Sequence, residues 1–129
     1  MPKAIVTGAA GHIGYHVTKV LLAKHYDVHL LVRSINTNII ELQDAGAKVY
    51  PCNLFETNSY AAIIKDADVL FHLAAENTTS MSNASRVLEN TDKLTQTVLQ
   101  ACHENTVKTV IYTSSVVVIG RSADANRPL

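Results

Sequence analysis

Residues 7 to 14 read Thr7-Gly8-Ala9-Ala10-Gly11-His12-Ile13-Gly14, and this stretch decides the fold. The chain has 5 glycines, and three of them stand here. Ahead of them, Lys3 to Thr7 is an apolar run of buried-strand character. Behind them, Ile13, Val17, Val20, Leu21 and Lys24 follow helical spacing. A glycine-rich turn between a strand and a helix has a physical purpose. Gly8 permits the tight turn, Gly11 lets the backbone come close to a pyrophosphate, and Gly14 lets helix and strand pack closely. The free N–H groups of the helix start then point at an anion.

Working outward, short β-rich runs alternate with longer helical patterns, with no repeat and no linker rich in Pro or Gly. Val28 to Val32 reads as a second strand, and a helix from Asn38 to Ala45 should stop at Gly46, which tolerates positive φ. Val49 and Tyr50 mark a third strand. Thr57, Asn58 and Ser59 offer cap oxygens for a helix through Ala62 and Ile63, and Val69 to Leu73 resumes an apolar strand. A polar loop covers Glu76 to Asn83. A helix from Ser85 to Glu104 carries Val87, Thr91, Leu94, Val98 and Cys102 on one face, and Thr109 to Thr113 makes a fifth strand. Nearly all-apolar strands separated by helices want a parallel sheet covered on both faces. The expected architecture is an α/β, Rossmann-like three-layer fold with strand order 3-2-1-4-5, one domain over residues 1 to 129.

Composition narrows the function classes. At 129 residues one core is expected, and the surface-scaling relations bury about two-thirds of a chain of this size. The 11 basic and 11 acidic side chains cancel, which argues against a general nucleic-acid or membrane-surface binder. No apolar run approaches the roughly 18 residues of a membrane span. Cys52 and Cys102 form neither a CxxC pair nor a disulfide framework, and no signal-peptide pattern opens the chain, so the expected compartment is the cytoplasm.

The GxxGxxG spacing with Thr7 ahead of it resembles the extended branch of the short-chain dehydrogenase/reductase superfamily, which holds nucleotide-sugar epimerases, dehydratases and flavonoid-type reductases. Three further blocks carry the resemblance in the same order: Leu31-Val32-Arg33-Ser34, Phe71-His72-Leu73-Ala74-Ala75 and Thr113-Ser114-Ser115. It implies that Gly8, Gly11, His12, Ile13 and Gly14 hold the diphosphate of a nicotinamide dinucleotide, with Ala74 and Ala75 along the ribose and nicotinamide side. Asn53-Leu54 falls where the family usually has an Asp and an apolar residue near adenine. The Asn53 amide oxygen is then the expected acceptor for the adenine amino group. At the ribose position stands Arg33 rather than an acid, and Arg attracts a 2′-phosphate, so NADP(H) is the preferred cofactor with NAD(H) the other possibility. Ser115 precedes Gly120 in the register of the family's serine, which implies a hydrogen bond to the substrate oxygen.

The family's general acid/base Tyr, with a Lys four residues later, lies on a helix some 25 residues past the serine, beyond Leu129. Tyr15-His16-Val17-Thr18-Lys19 matches the spacing only on the diphosphate helix. Two readings follow. One is the cofactor-binding portion of an oxidoreductase or epimerase acting on a sugar nucleotide or carbonyl substrate, truncated before its catalytic helix and inactive alone. The other is a non-catalytic module that binds NADP(H) or a protein partner. His12 and His16 have the spacing of two metal ligands on a helix, but no third ligand is near, so no metal is expected. His72 reads as a satisfied near-core histidine, and Lys65, Asp66 and Asp68 as a solvated helix end. In the family the 85–104 helix packs beside the catalytic helix. Without that neighbour Val87, Leu94, Val98 and Leu99 should lose cover and drive self-association.

Overall fold

The computed structural model describes residues 1–74 and 84–113, with the side chains of all of these except 84–91. Five strands, β1 (Lys3–Thr7), β2 (Asp27–Val32), β3 (Lys48–Pro51), β4 (Val69–His72) and β5 (Val110–Tyr112), form one sheet in the order β3-β2-β1-β4-β5. Every pairing is parallel. The intervening helices are α1 (His12–Ala23), α2 (Thr37–Asp44), α3 (Ala61–Ile64) and α4 (Ala84–Glu104). The expected strand order and element sequence are therefore found, with ends shifted by one or two residues.

Because the strands are short and apolar on both sides, alternate residues feed two cores. Ala4, Val6, Val28, Leu30 and Val32 pack with Leu21, Ile39 and Leu42 of α1 and α2. Ile5, Leu31 and Leu70 pack with Tyr60, Ile64, Val98, Ala101 and Cys102 on the opposite face. Val98 is fully buried, so the expectation that it loses cover is not met; Leu94 is half-buried against the same core, and Leu99 lies 42% exposed. Val87 and Thr91 fall among the side chains outside the description. Among the described residues, no helix is long and apolar enough to cross a membrane.

Two local expectations need correction. Thr57, Asn58 and Ser59 do not cap a helix but form a 3₁₀ turn of their own, and α3 is a single turn with no side-chain cap. Ser59 instead donates its hydroxyl to the carbonyls of Asn53 (3.1 Å) and Glu56 (2.6 Å). Nor is Asp68 merely solvated. It accepts the Lys3 N–H at 2.7 Å and pairs with Lys108 at 3.1 Å, tying the starts of β1, β4 and β5 together. Both cysteines are free thiols. The expected polar loop at Glu76 to Asn83 lies outside the described residues.

Candidate functional site

Parallel strands bring all their C-terminal ends to one edge, and the glycine turn sits at the middle of it, between the ends of β2 and β4. Gly8 has φ +79, the left-handed region that favours glycine. A Cβ there would come within 2.6 Å of the Ala74 N and 2.7 Å of the Leu73 carbonyl carbon, so the turn lies directly on the backbone leaving β4. At Gly14 a Cβ would collide with the Gly8 carbonyl, which is the close helix–strand contact expected of the third glycine. Gly11 differs from both. Among the described residues its Cβ would meet only the Gly8 oxygen, at 3.5 Å, so they leave the space above it open.

Gly11 is also the N-cap of α1, and no side chain caps that helix. The first-turn N–H groups of a helix have no partner within the helix itself. Here they face an open, exposed turn in which His12 and Ile13 are solvent-accessible. The helix dipole adds roughly half a positive charge at that point. Geometry and charge at this helix start both suit an anion.

Flanking positions complete the edge. Thr7 pairs with Leu31 across β1 and β2, so Arg33, two residues on, emerges beside the turn, exposed and with no partner among the described residues. Asn53 and Leu54 follow β3. The Asn53 Oδ1 already accepts the Phe55 N–H at 3.0 Å, so the acceptor expected to meet an adenine amino group is partly committed and the amide NH2 is the freer end. Leu54 is half-buried, and its carbonyl accepts the Tyr60 hydroxyl at 2.7 Å. Ala74 lies against Gly8, whereas Ala75 and Ser115 lie outside the described residues.

Beneath the turn is a group that motif reading missed. The Thr7 hydroxyl lies 2.8 Å from His72 Nδ1 and accepts the N–H groups of Leu73 and Ala74, each at 3.1 Å. Thr7 and His72 are both fully buried, and the Tyr112 ring stacks on the imidazole at 5.8 Å. Burial pulls the His72 pKa down to about 4, so the ring is neutral at pH 7. Its Nε2 has no partner among the described residues, so within them the histidine expected to be satisfied is bonded at Nδ1 alone. Thr7 and His72 stand in two separate motif blocks, and nothing in the sequence joins them. Tyr60 and Ser59, which shape the turn after β3, were also missed as organisers of this edge.

Other candidates resolve simply. Tyr15 donates its hydroxyl to Glu41 of α2 at 2.6 Å, with Lys19 at 3.4 Å from the same oxygen, so the Tyr-x-x-x-Lys match is an exposed link between two helices. That bond from Tyr15 holds the Glu41 carboxyl below its ordinary range. His12 and His16 stand edge-to-face at 4.8 Å, and no cluster of three or more metal-ligating side chains occurs among the described residues.

Comparison with known proteins bears on this edge. A model of the NAD dependent epimerase/dehydratase family matches residues 4–128. An oxidoreductase of Schizosaccharomyces pombe is 31% identical over 127 residues, covering 90% of this chain and 37% of that protein. Cinnamoyl-CoA reductase 1 of Petunia hybrida is 32% identical over 117 residues, covering 86% of this chain and 34% of that protein. The UDP-glucose 4-epimerase of Stenotrophomonas maltophila, solved with NAD and formylated UDP-arabinopyranose, superposes with a TM-score of 0.81 over 98% of this chain and 41% of its own. At 18% identity that is a likeness of fold. The chain spans little more than a third of the length of these curated relatives.

Proposed function

The chain belongs to the NAD dependent epimerase/dehydratase family, and from that premise we propose that it is the nicotinamide-dinucleotide-binding portion of an oxidoreductase or epimerase whose substrate is a sugar nucleotide or another carbonyl compound. The observation that carries this reading is the open space over Gly11 at the uncapped start of α1, at the C-terminal edge of a parallel sheet. That is where doubly wound folds take their ligands.

In this reading the backbone of Gly11, His12, Ile13 and Gly14 holds the diphosphate, while Gly8 keeps the turn against Ala74. Ala74 and Ala75 line the ribose and nicotinamide side, Asn53 and Leu54 the adenine side. Ser115 donates to the substrate oxygen. The nicotinamide ring, when bound, supplies the hydride acceptor or donor. Tyr15, on the diphosphate helix, has its hydroxyl engaged by Glu41 of α2, so the Tyr-x-x-x-Lys match there does not serve as the acid/base pair.

NADP(H) is the preferred form. Arg33 is exposed at this edge and free of any partner among the described residues, so a 2′-phosphate gains a charge-assisted contact worth about 1.5–3 kcal/mol, roughly ten- to hundredfold in affinity. Fluorescence titration tests both levels: NADPH should bind more tightly than NADH, and Arg33→Asp should reverse the order. Equal affinities would defeat the NADP(H) preference, and no binding of either nucleotide would defeat the functional reading itself.

A further inference from the structure

The Thr7 hydroxyl has one proton and two lone pairs, and its neighbours use all three. The Leu73 and Ala74 N–H groups are donors only, at 3.1 Å each, so they occupy the oxygen as acceptor; Leu73 N–H is bifurcated, donating also to the Thr7 carbonyl at 3.2 Å. The remaining neighbour is His72 Nδ1 at 2.8 Å, which must then accept the hydroxyl proton. A neutral imidazole that accepts at Nδ1 carries its proton on Nε2. The two side chains thus set each other: His72 fixes the direction of the Thr7 O–H, and that direction leaves both lone pairs for the backbone after β4.

From this geometry we infer that His72, held as its Nε2–H tautomer, is a positioning residue for the dinucleotide, acting through Thr7 on the Leu73–Ala74 backbone against which Gly8 packs. The chain of contacts is continuous. Imidazole orients hydroxyl, hydroxyl holds the Leu73 and Ala74 amides, and the Ala74 amide lies where a Cβ on Gly8 would come within 2.6 Å, so the height of the glycine turn is set from below. Without an acceptor at Nδ1 the hydroxyl turns its proton elsewhere, one backbone amide loses its partner, and the surface presented to the ligand shifts. His72 never touches the ligand in this account. The effect on affinity rests on the functional reading above, but the tautomer does not.

The experiment therefore has two arms. Imidazole 15N NMR of the unmodified chain should show His72 with Nδ1 unprotonated and Nε2 protonated at pH 7; the opposite tautomer overturns the inference whether or not any nucleotide binds. In the second arm, His72→Phe fills the space without an acceptor, and His72→Asn puts an amide oxygen where Nδ1 stood. NADPH affinity should fall about tenfold in the Phe variant and stay within threefold of the parent in the Asn variant. Thr7→Val should match His72→Phe, and the double variant should be no weaker than either single one, because both remove the same device. Equal binding by parent and Phe variant, or additive losses in the double variant, overturns the inference. Should the Phe variant fail to fold, Thr7→Val against Thr7→Ser makes the same comparison. Failure of the parent to bind any dinucleotide would count against the functional reading, and the tautomer would then decide this one alone.

Discussion

Helices α1 and α2 start at the same edge of the sheet, one after β1 and the other after β2, yet their N-termini are finished differently. At α2, Asn36 sits in an extended conformation and its Oδ1 accepts the Ile39 N–H at 3.0 Å. At α1, Gly11 occupies the equivalent cap position, also extended (φ −84, ψ 172), and brings no side chain. A capping side chain there would be compatible with the backbone and is worth about 1 kcal/mol relative to an Ala cap. The end of α2 is closed by its own side chain, and the proposed function puts a ligand at the uncapped start of α1. If that division holds, substitutions at the two helix starts and at the supports of the turn have separable effects on stability and on binding.

The sharpest contrast is between two glycines of one turn. Gly14→Ala forces a methyl group into the Gly8 carbonyl and within 2.8 Å of the Ala9 Cα, all of it backbone that cannot rotate away. The α1–β1 packing must open, and stability should fall by about 3 kcal/mol or more, at the upper end of overpacking costs. Urea denaturation measures this. A loss under 1 kcal/mol would mean that α1 is not pinned to the turn and that the open space over Gly11 is not a fixed feature.

Next comes acid. Burial holds the folded His72 pKa at about 4 against an ordinary 6.5. Between those values the unfolded chain binds a proton that the folded chain refuses, so stability is full above pH 6.5 and falls as pH drops toward 4. Two and a half pH units amount to roughly 3 kcal/mol as the limiting loss. Carboxylates held low by partners, such as Asp27 bonded to His29, are lost at still lower pH. Comparing urea midpoints at pH 7 and 4.5 in the parent and in His72→Asn isolates the histidine. If both lose stability equally, the imidazole is not buried in its neutral form.

At the capped helix, Asn36→Ala removes the acceptor for the Ile39 N–H and should cost about 1 kcal/mol. Dinucleotide affinity should not change, since α2 takes no part in the anion site. A matching drop in affinity would erase the distinction drawn between the two helix starts.

Which of these features the sequence could reveal follows from what fixes each one. The glycine turn and the five strands are set by local pattern, and the strand order follows from the fold that such a turn marks. Gly46 was legible as the stop of α2 because glycine announces the left-handed position, and it does take φ +117. The other three helices also end through positive φ, at His25 (φ 64), Asp66 (φ 59) and Thr106 (φ 61), residues that mark such a position far less clearly than glycine; local backbone bonds, Tyr26 N–H to Leu21 and Val107 N–H to Cys102, close the turns around His25 and Thr106. Thr7 is legible as the residue ahead of the glycines, but its bond to His72, 65 positions later, emerges only when β4 is laid beside β1. Asn53 was read as a free acceptor because an Asx turn to Phe55 depends on a backbone path that residue identity alone does not specify. At the site, then, motif glycines were visible and their supports were not.

The smallest expected shift in stability is also the most direct test of why α1 goes uncapped. Gly11→Asp should be tolerated, because the backbone there is extended as N-caps require and a Cβ meets nothing nearer than 3.5 Å. The new carboxylate would cap the first-turn N–H groups and lie at the positive end of the helix dipole. Against glycine that gains only a few tenths of a kcal/mol from the cap, with about 0.3–1 kcal/mol more from the charge at low salt. Thermal denaturation should therefore show a variant slightly more stable than the parent. Nucleotide titration should show the reverse, because the side chain supplies the anion that the diphosphate would have brought and repels the diphosphate itself. A variant that is both more stable and still able to bind NADPH would mean that the diphosphate does not rest on the start of α1. A variant that is markedly less stable would mean that the space over Gly11 is needed by the fold.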